Sequence, residues 1–209
     1  MSANKESFLK KEIIATAREL ASRQLIVAKA GNLSARINKE EILITATGVP
    51  LARLKPADIL KVNLLTGLCE ISTNKKPSSE LTAHCAIYNK FPYKVIIHCH
   101  PPLTNAYFSI MHKLITLTYE TRFYLKELPV IEQESLTVKN TDELVNAFLK
   151  NNIVVVRHHG VFCAADSFSE ALQPILILEE AVKIIAIARI FKRKKLDIID
   201  EKIKEILLK

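Results

Sequence analysis

Apolar and polar residues alternate along this chain at two different periods. Residues 6–22, ESFLKKEIIATARELAS, space Phe8, Ile13, Ile14, Ala17 and Leu20 for one helical face. EILIT at 41–45 predicts a short strand, and KVNLLTGLCEIS at 61–72 predicts a hairpin turning at Thr66-Gly67. PSSELTAHCAIYNKF at 77–91 opens with a proline and two serines, the chemistry of a helix start, and continues at helical period. KVIIHCH at 94–100 is apolar on both faces until its end, which predicts a buried strand. LTNAYFSIMH predicts a helix, LITLT at 114–118 a strand, and NTDELVNAFLKN a helix capped by Asn140 or Thr141. IVVVRHHGVFCAA at 153–165 predicts a strand interrupted at Gly160 and then resumed. A Ser167-x-x-Glu170 capping box starts one long apolar helix running to Lys195, with Pro174 early in it, and residues 196–209 predict a final amphipathic helix.

Interleaved strands and helices make the expected class α/β, and without repeats or Pro/Gly/Ser-rich linkers residues 1–209 are expected to form a single domain. The 209 residues are 49% hydrophobic and 25% charged, enough to bury a sizeable core and to exclude a disordered chain. No apolar run approaches the roughly 18–20 residues of a membrane span, and MSANKESFLKKE lacks the apolar core of a signal peptide. No membrane association is expected, and the expected location is cytoplasmic. Cys69, Cys85, Cys99 and Cys163 form no CxxC pair and read as reduced, semi-buried residues. The net charge of +8 is spread along the chain; its one dense run, FKRKKLD at 191–197, reads as a solvated helix end. No nucleic-acid partner is expected, and the basic surface suits small anionic substrates.

The candidate chemistry lies where strands end in histidines. His98 and His100 share a strand face and can converge on one ion, although two partly exposed imidazoles at a strand terminus would look the same. Cys99 between them points to the other face. His158 and His159 are adjacent, so a regular strand would turn one of them toward the pair, while Gly160 permits a bend or a close approach. Three imidazoles would match the ligand set of many catalytic zinc centres; a hydrogen-bonded core histidine is the plainer alternative. Ser78 and Ser79 at a helix opening would offer hydroxyls and free N–H groups to an anion. Glu80 either favours the helix dipole or reaches a metal as a displaceable ligand and base, and His84, four residues on, reads as structural. Gly31-Asn32 and Thr47-Gly48 are ordinary turns singly, but beside the serines they could complete a phosphate cup.

The order GNLS (31–34), TATGVP (45–50), KPSSE (76–80), HCH (98–100) and HHGVF (158–162), followed by a long helix, resembles the class II aldolase/adducin family over residues 8–195, closest to the fuculose-phosphate aldolase type. The resemblance implies a mixed, largely antiparallel sheet between helix layers and a homotetramer with active sites at subunit interfaces. It implies that Glu80, His98, His100 and His159 surround one divalent metal per subunit, usually zinc. His159 is chosen because the family's ligand immediately precedes the glycine. Gly31, Asn32, Thr47, Gly48, Ser78 and Ser79 would hold the phosphate of a ketose 1-phosphate, cleaved to dihydroxyacetone phosphate and an aldehyde. Glu80 would shuttle the proton at carbon.

Three departures qualify this expectation. His158 stands where many members carry Asn, and Pro101-Pro102 follow the His100 position. The second proton-transfer group falls on a loosely matched stretch, TLTYETRFYL, with Tyr119 as the aldolase candidate. Glu120 is the corresponding candidate for a methylthioribulose-phosphate dehydratase. A non-catalytic, adducin-like binding module is the alternative outside enzymes, though it has no need of Glu80 with three histidines. An epimerase of this family would carry Asp at position 80.

Overall fold

Side-chain alternation along the strands sorts the apolar residues onto two faces of one sheet. The computed structural model describes residues 2–69, 74–133, 135 and 137–191. In chain order the strands are β1 (Asn32–Arg36), β2 (Glu41–Thr45), β3 (Ile59–Asn63), β4 (Val95–Cys99), β5 (Val130–Ile131), β6 (Ile153–Val156) and β7 (Gly160–Ala165). They lie in the order β3-β2-β1-β4-β7-β6-β5, and every pairing is antiparallel except β5 with β6. Val95, Ile97 and Cys99 of β4 enter one buried cluster with Leu33 and Ala35 of β1. Ile96 enters the other, with Ile42 and Ile44 of β2.

Helices cover both faces. α1 (Ser2–Ser22), α3 (Pro102–Phe108), α4 (Tyr119–Leu125) and α6 (Phe168–Ile190) bring Ile13, Phe108, Leu125 and Leu178 to the first cluster. α2 (Leu81–Lys90) and α5 (Thr141–Phe148) bring Ile87 and Leu144 to the second. The chain is therefore α/β, a mixed and largely antiparallel sheet between helix layers, as expected. Two predicted caps are in place: Asn140 Oδ1 accepts the Glu143 N–H at 3.2 Å, and Ser167 Oγ accepts the Glu170 N–H at 3.2 Å.

Four local readings are corrected. α2 begins at Leu81 with Glu80 at its N-cap, not at Pro77. Ser78 lies in the preceding turn, where its N–H is taken by the Thr45 carbonyl and its Oγ accepts the Glu80 N–H. LITLT forms no strand: Leu114, Ile115 and Leu117 pack on the core, and the Ile115 N–H is accepted by the Tyr107 hydroxyl rather than by a neighbouring strand. IVVVRHHGVFCAA is a hairpin of β6 and β7, and the residues between them form its turn. His158 takes φ +59° there, a left-handed position that Asn fills more readily than most residues. Gly31-Asn32, read as an ordinary turn, instead leads into β1, a strand in the middle of the sheet that the sequence pattern did not predict.

The turn at Gly67 is present: its N–H bonds the Asn63 carbonyl, and Val62 bridges to Cys69. Residues 70–72 of that hairpin, most of FKRKKLD and the helix expected at 196–209 lie outside the described residues. Cys99 does face away from the histidines, and none of the four cysteines is in a disulfide. Among the described residues no helix is long and apolar enough to cross a membrane.

Candidate active site

The end of β4 and the β6–β7 turn meet side by side. His98 is 1% exposed, on the face opposite Cys99, its ring stacked 4.0 Å from that of Phe162. The antiparallel register sets His98 against Asn32 on one side and Phe162 on the other. His100 Nε2 and His159 Nε2 each lie 2.9 Å from His98 Nε2. Two glycines allow this approach. A Cβ on Gly160 would stand 2.4 Å from the Cys99 carbonyl oxygen, and one on Gly31 would stand 2.8 Å from the His98 carbonyl oxygen.

The donor chemistry fits a cation. His98 Nδ1 lies 2.9 Å from the Val161 carbonyl, an acceptor only, so Nδ1 carries the hydrogen and Nε2 presents a lone pair to the other two rings. The three imidazoles form a group whose ligand atoms all lie within 4.8 Å of one another. Glu80, 4% exposed, stands beside that group with Oε1 3.5 Å from His159 Nε2, and its Oε2 accepts the Val138 N–H at 3.2 Å. Burial pushes the Glu80 carboxyl up, and it pushes His159 down to about 4, His100 down, and His98 well below its ordinary value. A buried carboxylate facing uncharged imidazoles lacks a positive partner, which a divalent ion would supply.

The cavity in front of these rings has a volume of about 130 Å³. Its walls include Glu80, His98, His100 and His159 together with Gly31, Asn32, Thr47, Gly48, Ser78 and Ser79. Ten candidate residues scattered between positions 31 and 159 of the sequence thus line one space. The match with known proteins agrees in extent: residues 11–186 match the model of the Class II Aldolase and Adducin N-terminal domain. The chain belongs to this family.

Among similar proteins, the L-fuculose phosphate aldolase of Methanocaldococcus jannaschii is 28% identical over 186 residues, covering 88% of this chain and 99% of that one. A methylthioribulose-1-phosphate dehydratase of Methylococcus capsulatus is 27% identical, covering 80% and 88%. The crystal structure of l-fuculose-1-phosphate aldolase from Thermus thermophilus superposes with a TM-score of 0.74 at 28% identity, covering 92% and 98%. The family thus includes relatives of similar identity that carry different reaction names.

Tyr119 and Glu120 stand apart from this cavity within one chain. Both are on α4; Tyr119 is 57% exposed, and Glu120 lines a separate cavity of about 690 Å³ with Glu12, Glu19 and Glu170. Other neighbours of this cavity were not legible in the sequence. Lys29 lines the same cavity as the histidines. Gln133 Nε2 lies 2.9 Å from His159 Nδ1, and Asn105 Nδ2 donates to the His159 carbonyl at 3.0 Å. Gln133 follows a two-residue strand, and nothing in its local pattern ties it to a histidine 26 residues away. His84, read as structural, is fully buried, and burial pushes its imidazole down to about 3.

Proposed function

We propose that the chain is a metal-dependent class II aldolase that cleaves a ketose 1-phosphate of the fuculose-1-phosphate type into dihydroxyacetone phosphate and an aldehyde. The observation that carries this reading is a single small cavity joining three facing imidazole nitrogens and a buried carboxylate to a cup of small hydrogen-bonding groups. His98, His100 and His159 would hold one divalent ion per subunit, zinc being a metal whose catalytic centres three imidazoles commonly form, with Glu80 as a displaceable fourth ligand. When bound, the ion supplies Lewis-acid stabilisation of the hydroxy-ketone oxygens.

The remaining work falls to the chain. Glu80 exchanges the proton at carbon. When the bond between C3 and C4 breaks, its electron pair stays on C3, and the Glu80 carboxyl protonates that carbon; in the reverse direction the carboxylate removes the same proton. Burial raises the carboxyl toward the range in which it can do both. The C4 hydroxyl loses its proton as that carbon becomes the aldehyde. Gly31, Asn32, Thr47, Gly48, Ser78 and Ser79 hold the phosphate, with Lys29 adding charge, so binding of a remote group orients the reacting carbons. Tyr119, exposed on α4, serves a neighbouring subunit's cavity in a homotetramer: its hydroxyl protonates the aldehyde oxygen in the condensation direction, and in cleavage the phenolate left by that transfer takes the same proton back from the C4 hydroxyl.

A second reading is a sugar-phosphate dehydratase, with Glu120 in the place of Tyr119; the similarity to a methylthioribulose-1-phosphate dehydratase over 80% of the chain favours keeping it. Incubation of the zinc-loaded protein with fuculose 1-phosphate and methylthioribulose 1-phosphate separates these readings. Dihydroxyacetone phosphate, read by coupled NADH oxidation, supports the aldolase; loss of water without fragmentation supports the dehydratase. Neither product, with no metal retained on purification without chelator, leaves an adducin-like binding module.

A further inference from the structure

We propose that Tyr88, Ser34 and His84 form a one-way hydrogen-bond chain that turns the Asn32 carboxamide so that its N–H donors face the phosphate cup. The proposal rests on the reading of this cavity as an anion cup. The four side chains sit on β1 and α2 and are buried: Ser34 and His84 are 0% exposed, Tyr88 3% and Asn32 5%. His84 Nε2 lies 2.6 Å from Asn32 Oδ1, His84 Nδ1 lies 2.6 Å from Ser34 Oγ, and Ser34 Oγ lies 2.9 Å from the Tyr88 hydroxyl.

Donor and acceptor counting fixes the direction. A neutral imidazole carries one N–H and one lone pair. Suppose the Asn32 amide were reversed, with its nitrogen on His84. Nδ1–H would then donate to Ser34 Oγ, and of the hydroxyl hydrogens on Ser34 and Tyr88 one could go to the other oxygen while the second would need a further acceptor. Among the described residues neither hydroxyl has one: Ser34 Oγ meets only His84 and Tyr88, and the Tyr88 hydroxyl meets, besides Ser34, the Ile96 backbone as an N–H donor. A buried hydroxyl hydrogen without a partner is disfavoured. The other direction gives every hydroxyl and imidazole hydrogen an acceptor: Tyr88 donates to Ser34, Ser34 to His84 Nδ1, and His84 Nε2–H to Asn32 Oδ1. Among the described residues Asn32 Nδ2 has no protein partner, and Asn32 lines the cavity beside Ser78 and Gly48. An oxygen in that position would repel a phosphate; two N–H groups attract it. His84 is thus a positioning residue acting through Asn32, and the polar face of β1 is the wiring.

The test uses zinc-loaded protein and inorganic phosphate, with binding followed by calorimetry, and the imidazole ¹⁵N spectrum as a second readout. Asn32→Ala and Ser34→Ala should each weaken phosphate binding by about tenfold, the worth of one lost hydrogen bond, and zinc affinity should stay unchanged in Ser34→Ala. The wild-type spectrum should report His84 with its hydrogen on Nε2. His84→Gln keeps a donor for Asn32 and should retain more phosphate affinity than His84→Leu. A His84 hydrogen on Nδ1, or Ser34→Ala binding phosphate like wild type while Asn32→Ala does not, overturns the chain and leaves the cup standing. Unaltered phosphate affinity in Asn32→Ala removes Asn32 from the cup and the proposal with it.

Discussion

Gly160 lies against the backbone of Cys99 so closely that a Cβ at residue 160 would stand 2.4 Å from the Cys99 carbonyl oxygen and 3.0 Å from His100 Cδ2. β4 and β7 are paired at this point, and the two strand ends carry His98, His100 and His159 into one group. Gly160→Ala must therefore spread the strands where the imidazoles converge. The expected cost is about 1–3 kcal/mol of stability, together with loss of metal retention. Denaturant unfolding and zinc content per subunit check both. A variant as stable and as metal-rich as wild type would show that the close approach does no work.

Glu80→Gln separates proton transfer from structure. A Gln side-chain oxygen can still accept the Val138 N–H that Glu80 Oε2 accepts at 3.2 Å, so α2 and its entry turn should keep their geometry. Turnover should fall by about 10²–10⁴-fold, the usual worth of a positioned acid or base, while the circular dichroism spectrum and thermal midpoint hold. Retention of more than a tenth of the turnover would remove Glu80 from the proton path.

Much of the framework was readable from residue order. The strand KVIIHCH, the Asn140 and Ser167 caps and the two histidine-bearing ends all follow from period and capping chemistry. What misled was polarity in a buried place. Asn32, Ser34 and Arg36 give β1 a polar pattern that predicts no strand, only a turn at Gly31-Asn32; yet β1 lies between β2 and β4, and its polar side chains are satisfied by partners 50 to 57 residues away: His84, Tyr88 and the carbonyls near Tyr93. LITLT misled in the opposite sense, because apolar residues can pack on a core without any strand to pair with. Gln133 and Lys29 join the site through tertiary folding alone, which no local period records.

Lys29 tests the charge of the cup. It is exposed and lines the cavity beside Gly31 and Ser79, so its ammonium is available to a phosphate without burial. Lys29→Ala should raise the KM for a ketose 1-phosphate by about two- to fivefold, in keeping with a solvent-screened ion pair, with kcat little changed. The increase should shrink as salt rises. An equal effect on an unphosphorylated ketose would show that Lys29 acts on something other than the phosphate.

Acid should destabilise the metal-free chain, and the direction follows from which state holds the protons. Burial lowers His84 to about 3 and His159 to about 4, and it lowers His98 and His100 as well. These rings stay neutral in the folded chain while the unfolded chain protonates them below an ordinary value of about 6.5. The unfolded state then binds more protons, so stability is full above that pH and declines as pH falls. For fully buried His84 alone the loss is roughly 1.4 kcal/mol per pH unit until its folded value near 3 is reached. Glu80 runs the other way, since its raised carboxyl takes a proton more readily when folded, but one carboxyl offsets only one of four imidazoles. Chelated protein should therefore lose stability steadily from pH 6.5 to 4 in denaturant titrations. Bound zinc should steepen that decline, because protons then also compete for the ligands. A flat profile over that window would mean that the imidazoles take up protons as readily in the folded chain as in the unfolded one, so that burial does not hold them neutral.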